Sequence, residues 1–263
     1  MNTTLKVARY EGSNVVRSRW LMVQTLFYLA ATYGFLRFAG SGTKALLSLV
    51  SVVLFLVPLV TVVYGTVYLY NARDFTELLL AQPVKREQLF AGLYLGLTVP
   101  LSLGLAVGIA LPFLAHGFDD PALAGTLAVL LLAGVALTSV FTAFAFLVAL
   151  RYEDRLRGLG AAIGLWLLFA LVYDGLVLFL VAVFAAYPLE RAVLVMTMAN
   201  PVDLARVMLL LRFDISALMG YTGAVFQHFF GGTAGLALAA SMLALWIAAP
   251  LLLGVRAFGR KDF

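Results

Sequence analysis

The sequence predicts an all-α, polytopic membrane protein with six transmembrane helices. Three observations carry that expectation: 63% of the residues are hydrophobic, only 12% are charged, and the charges collect in short stretches between long apolar runs. Soluble domains carry about 25% charged residues, and no soluble core absorbs so large an excess of apolar surface. Crossing a hydrocarbon layer about 30 Å thick takes about 20 mostly apolar helical residues. Six such segments with their connections occupy the 263 residues. The chain therefore reads as one transmembrane domain, 1–263, with no soluble domain beside it.

The elements follow in order. Residues 4–19 interleave Lys6, Arg9, Arg17 and Arg19 with Leu5, Ala8, Val15 and Val16, the pattern of an amphipathic helix resting on an anionic membrane surface. The first span is expected over 20–36, with Arg37 placed to snorkel at its end. The second covers 45–70 and the third 89–115, where Pro100 and Pro112 are candidate kinks. A tight turn at Gly117–Pro121 leads into the fourth span, 122–150, and charged residues 151–157 separate it from the fifth, 158–187. The sixth covers 233–255 and ends in a basic tail.

Between the last two spans, residues 188–231 read as ordered. Asn200 is an N-cap, with Pro201 at the first helical position, Asp203 in the first turn and Arg212 in the last. Leu204, Val207, Met208 and Leu211 share one face, and Asp203 and Arg206 another, so a helix lying on the outer membrane surface is expected. Asp203, Arg206, Met208 and Arg212 are its candidate contacts to an external partner. Tyr221, Phe226, Phe229 and Phe230 then suit an aromatic belt at the start of the last span.

Lys and Arg counts set the topology. With the N-terminus inside, the inner segments hold four, three, three and three (13), and the outer ones hold Arg37, Lys44, Arg191, Arg206 and Arg212 (five). Both termini and the loops 71–88 and 151–157 are expected in the cytoplasm.

Several function classes drop out. There are no cysteines, and His116 and His228 are far apart, so thiolate chemistry and paired-histidine metal sites are excluded. Met196, Met198, Met208 and His228 offer soft ligands, but helix filling accounts for them, and no metal site is expected. Gly40-Ser-Gly-Thr-Lys44 lacks the spacing of a phosphate loop. No hydrolase or dinucleotide motif is present, so the chain is not expected to be an enzyme. The net charge of +5 is read as a topology signal, not as a nucleic-acid face.

Two features stand out. In the polar stretch 71–88, Phe75, Leu78 and Leu79 have the spacing of an apolar helical face, flanked by Arg73, Asp74 and Glu77 and closed before Pro83. Such a short amphipathic helix suits docking into a groove on a soluble partner, with Phe75 as anchor and Glu77, Arg86 and Glu87 as rim. An ordinary solvated loop is the alternative. The second feature is Asp174, the only acid in the middle of a predicted span. A carboxylate there faces the bundle or a water-filled cavity. It serves either passage of an ion or substrate, or a structural bond to a hydroxyl or interfacial Arg.

Six spans, an amphipathic first helix and the loop ELLLAQPVKREQLFAGLYLG together resemble the ABC-2 type permeases, as does the ending FGRKDF. The common pattern puts acidic residues and Gly-Thr before the leucines, and NARDFTELLL departs from it. A narrower resemblance is to the permeases of the copper-processing system that matures nitrous oxide reductase. It rests on VARYEGSNVVRSRWLM, on GLWLLFALVYDGLVL with its acid at Asp174, and on ANPVDLARVMLL. The resemblance implies a homodimer in the inner membrane whose ATP is bound by a separate cytoplasmic ATPase, with no cofactor of its own. It also implies a periplasmic β-helical accessory protein. A generic ABC-2 exporter of lipid, drug or peptide, a non-transporting scaffold and an ion-coupled carrier are the competing readings.

Overall fold

The computed structural model describes residues 3–116, 121–184, 190–212 and 233–261. It is all helical there, without strands among the described residues. The helices are α1 (Thr3–Val16), α2 (Arg19–Phe38), α3 (Gly42–Asn71), α4 (Arg73–Leu80), α5 (Arg86–His116) and α6 (Pro121–Arg151). After them come α7 (Arg155–Leu167), a π-helical turn (Leu168–Val172), α8 (Tyr173–Val183), α9 (Glu190–Met198), α10 (Pro201–Arg212) and α11 (Thr233–Arg260). Expected positions 117–120, 185–189 and 213–232, including Asp120, Tyr221, Phe226, His228, Phe229 and Phe230, lie outside the described residues, as do the side chains of Arg191, Leu211 and Arg212.

Five of the described helical segments are long and apolar enough to cross a membrane: 42–71, 86–116, 123–151, 155–183 and 237–260. The expected first span, α2, is 20 residues long but too polar to join them, with Gln24, Thr25 and Thr32 along it. Its polar face is turned inward: Gln24, Tyr28 and Thr32 are buried against the bundle. Pro100 and Pro112 both lie inside the continuous helix α5.

The bundle is organised around α5. Its residues Gly92, Gly96, Pro100, Gly104, Gly108 and Pro112 repeat every fourth position, so they form one small-residue stripe. A methyl group at Gly92 would sit 2.7 Å from Val7 Cβ, and one at Gly96 2.7 Å from Glu11 Cβ. One at Gly104 would sit 2.6 Å from Thr25 Oγ1, and one at Gly108 2.7 Å from Tyr28 Cβ. Helices α1 and α2 thus follow each other along α5, α1 on its first half and α2 on its second. Helix α1 turns Val7, Glu11 and Val15 into protein, while Leu5, Lys6, Arg9 and Val16 stay exposed on its outer face.

On the opposite side, α3 and α6 share a core of Leu46, Leu49, Val53, Leu137, Phe141 and Ala145. A second core, near the charged ends, joins Leu89, Phe90 and Leu93 of α5 to Phe146 of α6 and Phe258 of α11. The span 155–183 is the least covered, with almost none of its apolar stretch buried. Leu171, Leu178 and Phe179 are exposed along it, as a lipid-facing or partner-facing helix requires.

The four segments grouped by charge counting do meet at one end. Tyr70 donates a hydrogen bond to the carbonyl of Tyr152 at 2.8 Å. Arg86 donates to Lys261 O at 2.6 Å, and Lys261 Nζ donates to Leu150 O at 2.9 Å. Burial against these partners holds the Lys261 amine below the ordinary lysine range, with Arg73 adding to the shift. Asp154 caps α7 by accepting the N–H groups of Leu156 and Arg157. The Arg157 N–H bond is the main reason its carboxyl sits below the usual range.

Candidate functional site

Two places bring chemistry-bearing residues together: the charged end around α4, and an elbow between α9 and α10.

Helix α4 forms where the sequence predicts it, over Arg73–Leu80, with Asp74 in its first turn. An ion pair Arg73–Glu77 at 3.6 Å spans one turn of it. The expected apolar face divides in two. Leu79 and Leu80 turn toward the protein and pack on the core near α5. Phe75 is half-buried and stacks on Tyr10 of α1, ring centroids 5.4 Å apart and planes 21° apart. Leu78 is 71% exposed and points away from the bundle. Pro83 and Glu87 are exposed beyond the helix, whereas Arg86 is occupied by the tail carbonyls of Gly259 and Lys261. The unpartnered surface is therefore centred on Leu78 and the Tyr10–Phe75 pair, and Arg86 braces the tail instead of joining a rim.

The elbow departs from the expected surface helix. Helix α10 begins at Pro201 on an Asn200 cap, as predicted, with Asn200 Oδ1 accepting Val202 N–H at 2.9 Å. Yet Val202, Leu204, Ala205 and Leu209 are fully buried. Helices α9 and α10 meet at 109°. The two flanking spans both have their charged ends together, so the chain enters and leaves on the same, opposite side. Segment 190–212 is thus a sharply bent helix pair set into the bundle, not a helix on its surface. Its tip touches Phe169, midway along 155–183, and Trp246, midway along α11.

Irregular backbone at that depth is tolerated only where protein satisfies its polar groups, and here it does. Tyr173 Oη donates to Met196 O at 2.7 Å, and Trp246 Nε1 donates to Met198 O at 2.9 Å. Asn200 Nδ2 donates to Phe169 O at 2.8 Å, within the π-helical turn, and to Asp203 Oδ2 at 3.0 Å. Asp174 and Arg206 complete the network: Arg206 Nη1 lies 2.7 Å from Asp174 Oδ2 and 2.8 Å from Asp203 Oδ1. Asp174 is thus paired with an Arg of a neighbouring helix. Asp203 and Arg206 belong to this inward network, and Met208 is partly buried beside Leu204 and Leu243. Among the described residues no group of His, Asp and Glu is arranged to hold a metal ion.

No family profile matches the chain. Two relatives do, along nearly all of it. The probable ABC transporter permease protein NosY of Stutzerimonas stutzeri is 28% identical over 280 aligned residues, covering 99% of both chains. NosY of Pseudomonas aeruginosa is 27% identical over 266, covering 94% of this chain and 92% of that one. The chain resembles NosY permeases over its whole length. That likeness, together with the multi-pass helical architecture, supports a permease subunit of an ABC transporter.

Within this NosY-like chain, sequence reading missed the residues that hold the elbow and those that line α5. Tyr173 and Trp246 carried no signal, since aromatic residues with a polar tip are ordinary in spans. The fourfold Gly/Pro repeat of α5 was visible as two G-x-x-x-G motifs, Gly92–Gly96 and Gly104–Gly108.

Proposed function

We propose that this chain couples ATP hydrolysis on a separate cytoplasmic ATPase to conformational work at the re-entrant elbow, in the copper-processing system for maturation of nitrous oxide reductase. The observation that carries the coupling is Leu78, 71% exposed on a short amphipathic helix that stands off the charged end with charges of both signs around it. A membrane helix has no reason to present such a side chain to water, and a protein partner would cover it. Glu77 and Glu87 contribute orientation more than affinity. The copper assignment rests on the three stretches of narrower resemblance. In this reading two copies assemble in the inner membrane, lipid surrounds 155–183, and a periplasmic β-helical protein meets the end opposite α4.

The reading requires α4 to be cytoplasmic, because ATP is found there. The Lys/Arg asymmetry supports this, and it is 13 to four once Arg206 is assigned to the elbow network. Thr76 is buried and unsuitable as a probe, so cysteines are placed at Gln82 and Thr43, both exposed at opposite ends of the bundle. An impermeant thiol reagent added to intact cells or spheroplasts is expected to label Thr43→Cys and not Gln82→Cys. The reverse pattern ends the ATPase reading.

A further inference from the structure

We infer that the cavity between α1, α3 and α4 binds a cationic side chain, a guanidinium or ammonium group, supplied by the cytoplasmic partner. This rests on the docking reading above and names the chemistry of its contact. The cavity holds about 280 Å³ and is lined by Tyr10, Glu11, Asn14, Tyr68, Asn71 and Phe75. At its floor Glu11 is 6% exposed. Tyr68 Oη donates to its Oε2 at 2.7 Å, and no basic side chain lies within ion-pairing distance among the described residues. A buried carboxyl is ordinarily paired with a cation. Lys6 and Arg9 sit on the same helix but on its exposed face. No cation among the described residues pairs with Glu11, and the cavity provides room for one.

The walls specify the same ligand. Tyr10 and Phe75 stack side by side at the mouth, and Tyr10 is 56% exposed. A cation passing over aromatic faces is attracted by their quadrupoles, arginine most often. Asn14 and Asn71 add amide carbonyls that accept N–H groups. A carboxyl floor, aromatic lips and amide sides suit a planar, multi-donor cation better than an apolar anchor or an anion. Leu78, outside the cavity, supplies the apolar part of the same surface.

The test uses the full-length chain in nanodiscs and the ATPase that co-purifies with it, binding being measured against increasing NaCl or methylguanidinium chloride. Glu11→Gln keeps an acceptor for Tyr68 and removes the charge, and it is expected to weaken ATPase binding at least tenfold. Methylguanidinium is expected to release the ATPase from wild type at lower concentration than NaCl, and to lose that advantage on Glu11→Gln. Tyr10→Leu is expected to weaken binding several-fold while Tyr10→Phe binds like wild type, which decides the matter should Glu11→Gln fail to fold by thermal melting. Wild-type affinity in folded Glu11→Gln, or methylguanidinium no better than NaCl on wild type, overturns the inference. Leu78→Asp run in parallel separates the two readings. If it abolishes binding while Glu11→Gln does not, only the cavity assignment falls; if neither weakens binding, the docking reading falls as well.

Discussion

Replacing Arg206 with methionine is expected to be the most damaging change in the elbow. The methionine fills most of the arginine stem's volume, but two carboxyl groups then lose the one guanidinium they share, 2.7 and 2.8 Å away. Removing one partner of a buried ion pair costs about 3–5 kcal/mol, because the remaining charge stays desolvated. The Arg206 side chain is 28% exposed, which puts the expected loss toward about 3 kcal/mol. Neutralising Asp174 alone is a milder change. In Asp174→Asn the guanidinium keeps Asp203, and the amide still accepts one N–H. The expected order of thermal stability in detergent is wild type, then Asp174→Asn close behind, then Arg206→Met far below. Adding Asp174→Asn and Asp203→Asn to Arg206→Met is expected to recover much of the loss, since no uncompensated charge remains. A Arg206→Met variant as stable as wild type contradicts the network's structural role and returns Asp174 to the passage reading.

Gly108→Leu is the second large effect. Even a methyl group at Gly108 meets backbone, 2.9 Å from Thr25 O, as well as Tyr28 Cβ at 2.7 Å. Backbone does not yield as a flexible side chain does, so α2 must move off α5. Forcing extra methylenes into a packed interface costs about 1–3 kcal/mol and occasionally more. The expected outcome is loss of the monodisperse peak in size-exclusion chromatography, with Gly108→Ala intermediate. Gly164 is the control, because nothing lies within 4 Å of a methyl added there. Gly164→Ala is expected to be neutral or to gain up to about 1 kcal/mol from helix propensity. Equal tolerance at the two positions contradicts the packing of α2 on α5.

These two sites mark where the sequence was legible and where it was not. The five long apolar helices followed from composition, because an apolar run of 20 to 30 residues has few other uses; α2, shorter and more polar, did not stand out in the same way. Helix α4 followed as directly, from periodicity over Arg73–Leu80 and a Pro just beyond. Its binding face did not. The spacing of Phe75, Leu78 and Leu79 specifies one stripe, but only the fold decides that Leu79 packs inward and Leu78 outward. For α10 the local rules worked and the global inference failed. The Asn200 cap and Pro201 gave the helix start. Its apolar face and its Asp–Arg pair fit a surface helix as well as a buried one whose charges neutralise each other. Distinguishing them requires knowing that Asp174, 32 residues away from Arg206, is opposite it. The amphipathicity of α1 marked the helix but not that α5 covers it, since lipid and α5 are equally good solvents for Val7 and Val15.

Docking of a separate ATPase on α4 has a direct test. The direct measurement is recovery of that ATPase, and of its hydrolysis rate, on wild-type chain and on Leu78→Asp expressed at equal levels. Leu78 is exposed and outside every span, so the substitution is expected to leave membrane insertion and the size-exclusion profile unchanged. A charge at the centre of a desolvated interface is expected to cost at least about 2 kcal/mol, the usual threshold for an interface hot spot, equivalent to roughly thirtyfold in affinity. The ATPase is expected to be retained on wild type and lost, with its stimulation, on Leu78→Asp. Equal recovery and equal stimulation on both would contradict it and place the docking surface elsewhere.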